Sequence, residues 1–212
     1  MFALLLYSTN TKAQIRQDLY WLRYYIQLKI NNKYSWHSEI EDRRFFSNNT
    51  QQHLIMHSRF YYKFAKSTDL AIGFTYSLQS PQIPSVGAGL IVPELRPNQE
   101  MNWSHPLLKN WLLQQRLRVE ERFMRNNNGK VLEDGYKFDL RFRYRLQLNY
   151  VVNSLNTENT TTLKLSNETM LSTARSFDQN RLYFALEKNF SKTVSAEIGY
   201  LHLYQKSAVA HQ

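Results

Sequence analysis

The chain lacks several features that would assign it to a common protein class. It has no cysteine, which excludes disulfide bonds and thiolate metal ligands. Six glycines and five prolines in 212 residues are too few for a collagen-like chain or a disordered chain rich in proline and glycine. The chain also has no run of roughly 18 apolar residues that would make a membrane-spanning helix. A G-x-S-x-G nucleophile motif is absent too.

The chain does have alternating segments rich in charged and aromatic residues. Two central runs, Trp111–Phe123 and Tyr136–Leu148, place charged residues on one parity and mostly apolar residues on the other. A period of two indicates strands, because successive side chains point to opposite faces. As helices, the same runs would leave no apolar stripe. The charged parity carries Arg116, Arg118, Glu120, Arg122, Lys137, Asp139, Arg141, Arg143 and Arg145.

Eight further runs alternate in the same way, so that about ten strands of about ten residues are predicted, the length that a tilted strand needs to cross a bilayer. Met124–Lys130 and Gln79–Val92 are expected to be loops, and Pro97 weakens one strand because proline cannot donate to a ladder. The further runs are Leu22–Ile30, Tyr34–Arg43, Leu54–Phe64, Leu70–Leu78, Glu94–Trp103, Thr161–Met170, Arg181–Lys188 and Val194–Tyr204.

Such strands fit either a soluble sheet with an apolar core or a transmembrane barrel with lipid outside and charges in the lumen. Charges of both signs on one parity favour the barrel, because they can pair in a narrow lumen. Aromatic residues near strand ends suit an interfacial girdle: Tyr20, Trp21, Tyr34, Trp36, Trp103, Trp111, Phe123, Tyr136 and Tyr204. The predicted fold is all-β, an antiparallel up-and-down transmembrane β-barrel of about 10–12 strands. A soluble lipocalin-like barrel or sandwich is the alternative.

The first residues differ from the rest of the chain. Within residues 1–13, Met1–Tyr7 are apolar and Thr11–Ala13 looks like a small-residue cleavage site, so the segment resembles the end of a secretory signal peptide without its basic region. An ordinary buried N-terminal segment is the alternative. Residues 14–212 are predicted to form one barrel domain, because no linker composition marks a second domain.

Six segments carry a family resemblance: Val92–Gln99, Arg116–Phe123, Leu140–Arg145, Asn167-Glu168, Phe177–Arg181 and Gly199-Tyr200. In this order they resemble the domain-of-unknown-function 2490 family, small proteins regarded as outer-membrane β-barrels. The resemblance implies the outer membrane of a Gram-negative bacterium, with its lipids, lipopolysaccharide among them, as partners. Similar proteins usually close with a further strand that ends in an aromatic residue. This chain ends in Ser207–Gln212, so a missing last strand is expected.

The candidate site is a wall of charges from the two central strands, here called the ionic wall: Arg116, Arg118, Glu120, Arg122, Arg141, Arg143 and Arg145. Arginine suits bidentate pairing with carboxylates, so pairing with glutamates across the lumen is expected. These glutamates are Glu94, Glu100, Glu168, Glu187 and Glu197. The alternative is that the positive excess of the wall binds an anion, such as a lipid phosphate or an acidic glycan.

The predicted function is a structural or binding barrel with a largely plugged, ionic lumen. No catalytic residues, metal site or cofactor are predicted, and His57 and Ser58 point to opposite faces of a strand. An outer-membrane lipid hydrolase and a small-solute or anion channel are the alternatives. A soluble basic sheet that binds nucleic acid is disfavoured, because stacking on bases needs arginine and tyrosine on one face. The oligomeric state stays open.

Overall fold

The computed structural model describes residues 17–80, 89–154 and 159–205, so the predicted signal segment 1–13 lies outside the described residues. The described residues form ten strands and no helix. No helix in these ranges is therefore long and apolar enough to cross a membrane. The strands are β1 (Leu19–Lys29), β2 (Tyr34–Phe45), β3 (Gln51–Ala65), β4 (Thr68–Gln79), β5 (Val92–Leu108), β6 (Trp111–Asn127), β7 (Leu132–Ser154), β8 (Thr160–Ser172), β9 (Ser176–Asn189) and β10 (Ser195–Gln205).

The strands form one sheet in sequence order, each antiparallel to its neighbours, which confirms the predicted up-and-down arrangement. The sheet curves into a half-barrel whose two edges approach each other. Arg23 on β1 donates to Glu197 on β10 at 2.8 Å, and the Arg181 guanidinium on β9 lies 5.5 Å from the ring of Trp21 on β1. The described residues form no backbone ladder between β1 and β10. Because charged side chains meet across the curve, the charged parity lines the concave face.

Burial follows the reverse of the usual pattern for a soluble protein. Charged side chains such as Arg118 and Glu120 are buried on the concave face, whereas Phe138, Phe142 and Leu146 on the other parity of β7 are exposed. Few apolar side chains are buried in the described residues: Phe45, Ile55, Ala71, Met170 and Ala185. A soluble sheet would place its apolar parity on the core. The sheet therefore has an apolar outer face and an ionic inner face.

The β6–β7 hairpin is longer than the sequence predicted. The expected loop Met124–Lys130 is wrong in its first part, because β6 runs to Asn127 and β7 begins at Leu132. Polar contacts hold the two strand ends together: Arg125 pairs with Asp134 at 3.2 Å. The side-chain oxygen of Asn128 accepts bonds from the backbone nitrogens of residues 130 and 131, which forms a tight turn.

Two residues of the predicted pattern behave differently in the fold. Pro97 lies inside β5, and the ladder to β6 skips residues 96 and 97, so the missing N–H of the proline breaks no pairing there. Trp21 is predicted to lie in the outer girdle, but its ring faces inward. The guanidinium of Arg43, which is buried on the inner face, stacks on this ring at 3.8 Å.

Candidate functional site in the ionic lumen

Glu120 on β6 lies at the centre of the ionic wall and is 1% exposed. It lies directly opposite Arg141 on β7, whose Nε donates to its Oε2 at 2.8 Å. Arg143 Nη1 donates to Oε1 of the same carboxylate at 2.7 Å, and Arg118 Nη1 lies 3.6 Å from it. The Glu120 carboxylate thus interacts with three guanidinium groups. These interactions are strong, because charge-assisted hydrogen bonds are stronger than hydrogen bonds between neutral groups.

Two glutamates of β5 pair with the arginines of β6. Glu100 accepts from Arg118 Nε at 2.6 Å and also from the Tyr61 hydroxyl at 2.7 Å. Glu94 accepts from Arg122 Nε at 2.5 Å and from Arg96 Nη2 at 2.6 Å. The register between β5 and β6 brings these side chains together, since Glu100 lies directly opposite Arg118.

Glu168 on β8 forms ion pairs with two arginines of the ionic wall. Its Oε1 accepts from Arg116 Nη2 at 2.5 Å and its Oε2 from Arg143 Nη2 at 2.7 Å. Arg181 Nη1 on β9 lies 3.9 Å from the same Oε2. Arg143 therefore bridges Glu120 and Glu168, and the ion pairs continue without a break from β5 to β9.

A second group of charges joins the two edges of the sheet. Glu197 on β10 accepts from Lys164 at 2.7 Å, from Arg23 at 2.8 Å and from the Tyr183 hydroxyl at 2.6 Å. Lys164 also pairs with Glu187 at 2.9 Å. These contacts bring β1 and β8–β10 together on the inner face.

One set of residues on β2 and β3 has the chemistry of metal ligands. Glu39, Glu41 and His57 each place a ligand atom within 4.8 Å of the others. Guanidinium groups already surround them: Arg23 lies 3.6 Å from Glu39, and Arg43 is paired with Glu41. A divalent cation would have to displace or repel these groups, so ion pairing is the role that the geometry supports.

The structure brings all seven residues of the ionic wall side by side on β6 and β7. The cross-strand pairs are Arg116 with Arg145, Arg118 with Arg143, Glu120 with Arg141, and Arg122 with Asp139. Of the five glutamates expected across the lumen, Glu94, Glu100 and Glu168 contact the wall, whereas Glu187 and Glu197 pair with Lys164 and Arg23. Among the described residues, Arg145 is the wall residue with no carboxylate within 4.0 Å.

The sequence reasoning missed two contacts between hydroxyl groups and imidazoles on the inner face of β3 and β4. His53 Nε2 lies 3.1 Å from Ser77 Oγ, and His57 Nδ1 lies 2.7 Å from Thr75 Oγ1. The β3–β4 register places His57 directly opposite Thr75, but a bulge between Lys63 and Ala65 shifts that register by one residue, so counting back from the short turn at residues 66–67 would not have found these contacts. The expectation for His57 and Ser58 is confirmed: His57 is buried on the inner face, and Ser58 Oγ accepts from the Trp36 indole on the outer face.

The comparisons with known proteins give one match. A family model described as a protein of unknown function (DUF2490) matches residues 19–212, which include every described strand. Neither the search of curated proteins nor the search of solved structures found a match.

Proposed function

We propose that this chain, which belongs to the DUF2490 family, is a transmembrane β-barrel of the outer membrane of a Gram-negative bacterium. The observation that carries the proposal is the outer face, where the apolar parity of almost every strand is exposed: Leu22, Ile40, Phe60, Ile72, Leu117, Phe142, Leu165, Phe184 and Ile198 are examples. Soluble monomers rarely expose contiguous apolar surface of more than a few hundred Å². Lipid is the environment that suits such a face.

The aromatic contacts of the outer face support a bilayer-sized span. Trp111 packs on Tyr150 at one end of β6 and β7, and Phe123 packs on Phe138 at the other end. The two pairs are about 12 residues apart, which is about 40 Å along a strand and about 28 Å along the axis of a barrel tilted by 45°. Aromatic girdles flank an apolar band of about 25 Å in outer-membrane barrels.

A bilayer would also require the edges of the sheet to pair. Unpaired backbone N–H and C=O groups cannot face lipid, so β1 and β10 must close on each other or on another strand. The contact between Arg23 and Glu197 already holds the two edges at side-chain distance. We therefore propose that the edges at β1 and β10 close the barrel, either by pairing with each other or through the further strand that the family resemblance implies.

The proposed role is structural or binding, with outer-membrane lipids as partners. Barrels with about eight strands are filled by side chains, whereas aqueous porins have about 16–18 strands. The inner face of this sheet is occupied by long, mutually paired side chains such as Arg118, Arg141 and Arg143. Large and steady porin-like conductance in a planar bilayer would contradict a largely plugged lumen.

Phe142→Arg tests the proposed lipid contact. Phe142 lies on the outer face between the two aromatic pairs and is 42% exposed. Arginine near the midplane of a bilayer should lower the free energy of unfolding from lipid vesicles by about 2–4 kcal/mol. Phe142→Leu is the control, because it keeps the site apolar. In a soluble sheet, arginine at this exposed position would change stability little, and that result would refute the proposal.

Localisation and closure are tested in cells and on gels. We expect the protein to fractionate with the outer membrane and to migrate faster before boiling than after boiling, as closed barrels do. Recovery in the soluble fraction with no heat-dependent mobility would contradict both the location and the closure.

An outer-membrane hydrolase is the second candidate, because Ser77 and His53 form a hydroxyl–imidazole contact on one face. Ser77 is 0% exposed, and its Oγ also accepts from Arg96 Nη2 at 3.1 Å. Both facts favour a structural hydrogen bond over a nucleophile. Turnover of phospholipid or ester substrates that is abolished by His53→Ala or His57→Ala would establish the enzyme instead.

A further inference from the structure

Arg145 stands apart from the other arginines of the inner face. It lies directly opposite Arg116 on β6 and opposite Glu168 on β8. No carboxylate of the described residues comes within 4.0 Å of it, and its Nε is buried without a hydrogen-bond partner. The Nε of Arg116 is also buried without a partner. Two guanidinium groups therefore face each other with donors unused, although like charges directly opposite are unfavourable.

The nearest carboxylate across the ladder cannot neutralise Arg145, because other arginines use it. Glu168 Oε1 accepts from Arg116 at 2.5 Å and from Arg143 Nε at 3.2 Å. Its Oε2 accepts from Arg143 at 2.7 Å and lies 3.9 Å from Arg181. One negative charge is thus shared among three cations before Arg145 is counted. An uncompensated charge away from bulk water is costly.

The two ends of the inner face carry different side chains on either side of Arg116 and Arg145. Towards the start of β6 and the end of β7, the next inward side chains are neutral amides. Gln147 donates to Gln114 at 3.2 Å and to Asn149 at 2.8 Å, and we call this end of the inner face the amide end. Towards the connections at residues 128–131 and 173–175, the inward side chains include the carboxylates of Asp139 and Asp178. Among the described residues, the inward side chains of β6 and β7 at the amide end include no carboxylate, and Glu187 on β9 and Glu197 on β10 are paired with Lys164.

We infer that Arg145 and Arg116 form a binding site for one oxyanion group, a phosphate or a carboxylate, which enters from the amide end. Planar guanidinium groups bind such groups through two parallel hydrogen bonds, and the unused Nε donors of both arginines fit this geometry. The bound group supplies the negative charge that the surrounding residues lack. This inference names a ligand class for the proposed binding barrel and rests on that proposal for the closure of the sheet around its inner face.

The test uses the full-length protein in an uncharged detergent, with folding first verified by its heat-dependent gel mobility. Thermal unfolding midpoints are measured against inorganic phosphate, with chloride keeping the ionic strength constant. We expect a saturable rise of the wild-type midpoint with phosphate. Arg145→Gln should weaken phosphate binding by about tenfold or more, the size expected for losing a charge-assisted hydrogen bond. Without phosphate, Arg145→Gln should be at least as stable as wild type, because it removes an unpaired charge.

Arg125→Gln is the matched control. It removes the same charge, but Arg125 pairs with Asp134 at the far end of β6 and should keep the full phosphate response. An equal phosphate response in Arg145→Gln and wild type would overturn the site. No response in wild type combined with a lower midpoint for Arg145→Gln would also overturn it and would make Arg145 a structural residue.

A second arm distinguishes the source of the group. A short-chain phosphatidic acid replaces inorganic phosphate in the same titration. A larger Arg145-dependent shift with the lipid identifies a headgroup as the ligand, and an equal or smaller shift identifies a free anion. If gel mobility shows that no closed barrel forms, the proposed function fails before the titration begins, so the two failures can be told apart.

Discussion

Glu120→Gln tests how strongly the inner-face carboxylates hold the fold together. Glutamine keeps the size of the side chain but removes the negative charge that Arg141, Arg143 and Arg118 share. Neutralising one partner of a buried ion pair costs about 3–5 kcal/mol, because the remaining charge is left uncompensated. Arg143 and Arg118 keep other carboxylates, whereas Arg141 keeps only Asp178 at 3.4 Å. We therefore expect a loss near the lower limit, about 3 kcal/mol.

The next residue provides a matched control. Glu121→Gln changes the same atoms on the same strand, but Glu121 lies on the outer face and contacts Gln99 at 3.4 Å. Substitutions away from buried networks usually change stability by less than about 0.5 kcal/mol, and removal of a carboxylate from an apolar face can only reduce its desolvation cost. We expect Glu121→Gln to be neutral or slightly stabilising.

The assay is urea unfolding of the protein in phospholipid vesicles, followed by tryptophan fluorescence. The midpoint and the slope together give the free energy of unfolding. Equal losses in Glu120→Gln and Glu121→Gln, or a gain in Glu120→Gln, would refute the reasoning. A loss in Glu120→Gln no larger than in Glu121→Gln would mean that water at the inner face screens these charges as it screens charges at a protein surface. A gain would mean that the desolvation of the Glu120 carboxylate costs more than its ion pairs contribute.

Two further substitutions probe the ion pairs and the packing of the inner face. Arg143→Glu should lower the unfolding midpoint, because the new carboxylate would lie beside those of Glu120 and Glu168. Adding Glu168→Arg should restore part of the loss. An unchanged midpoint in the single variant would contradict this ion-pair argument. Gly199→Ala should cost about 1–3 kcal/mol, because its Cβ would lie 2.7 Å from the Tyr183 ring. Gly89→Ala is its control, since open space surrounds that glycine, and equal effects in both variants would contradict the packing argument.

Much of the fold could be predicted from the alternation of residues. The charged parity of Trp111–Phe123 and Tyr136–Leu148 identified the central strands and their inner face, because a pleated strand leaves no choice in which side chains share a face. The ends of strands were harder to predict. Asn126 and Asn127 have turn-like chemistry, yet they continue β6 because contacts with Asp134 across the hairpin outweigh local preference.

The site could be predicted in outline but not in its pairings. Once the β6–β7 hairpin is assumed, the register places Arg116 opposite Arg145, and the excess of positive charge follows. Which carboxylate reaches which guanidinium depends on the rotamers of long side chains and on strands that are distant in sequence. The sharing of Glu168 by several arginines, and hence the isolation of Arg145, is visible only in three dimensions.

The up-and-down order of the strands also has a consequence for how the molecule assembles. Every backbone ladder between the ten described strands joins strands that are consecutive in sequence, so each hairpin closes only a short stretch of chain at small entropic cost. The bond from Arg23 to Glu197 instead spans 174 residues. Contacts so distant in sequence form late during folding. Interactions that are absent from the folding transition state affect the rate of unfolding more than the rate of folding. The meeting of the two edges therefore determines how long the folded protein lasts, while the neighbouring hairpins determine how quickly it forms.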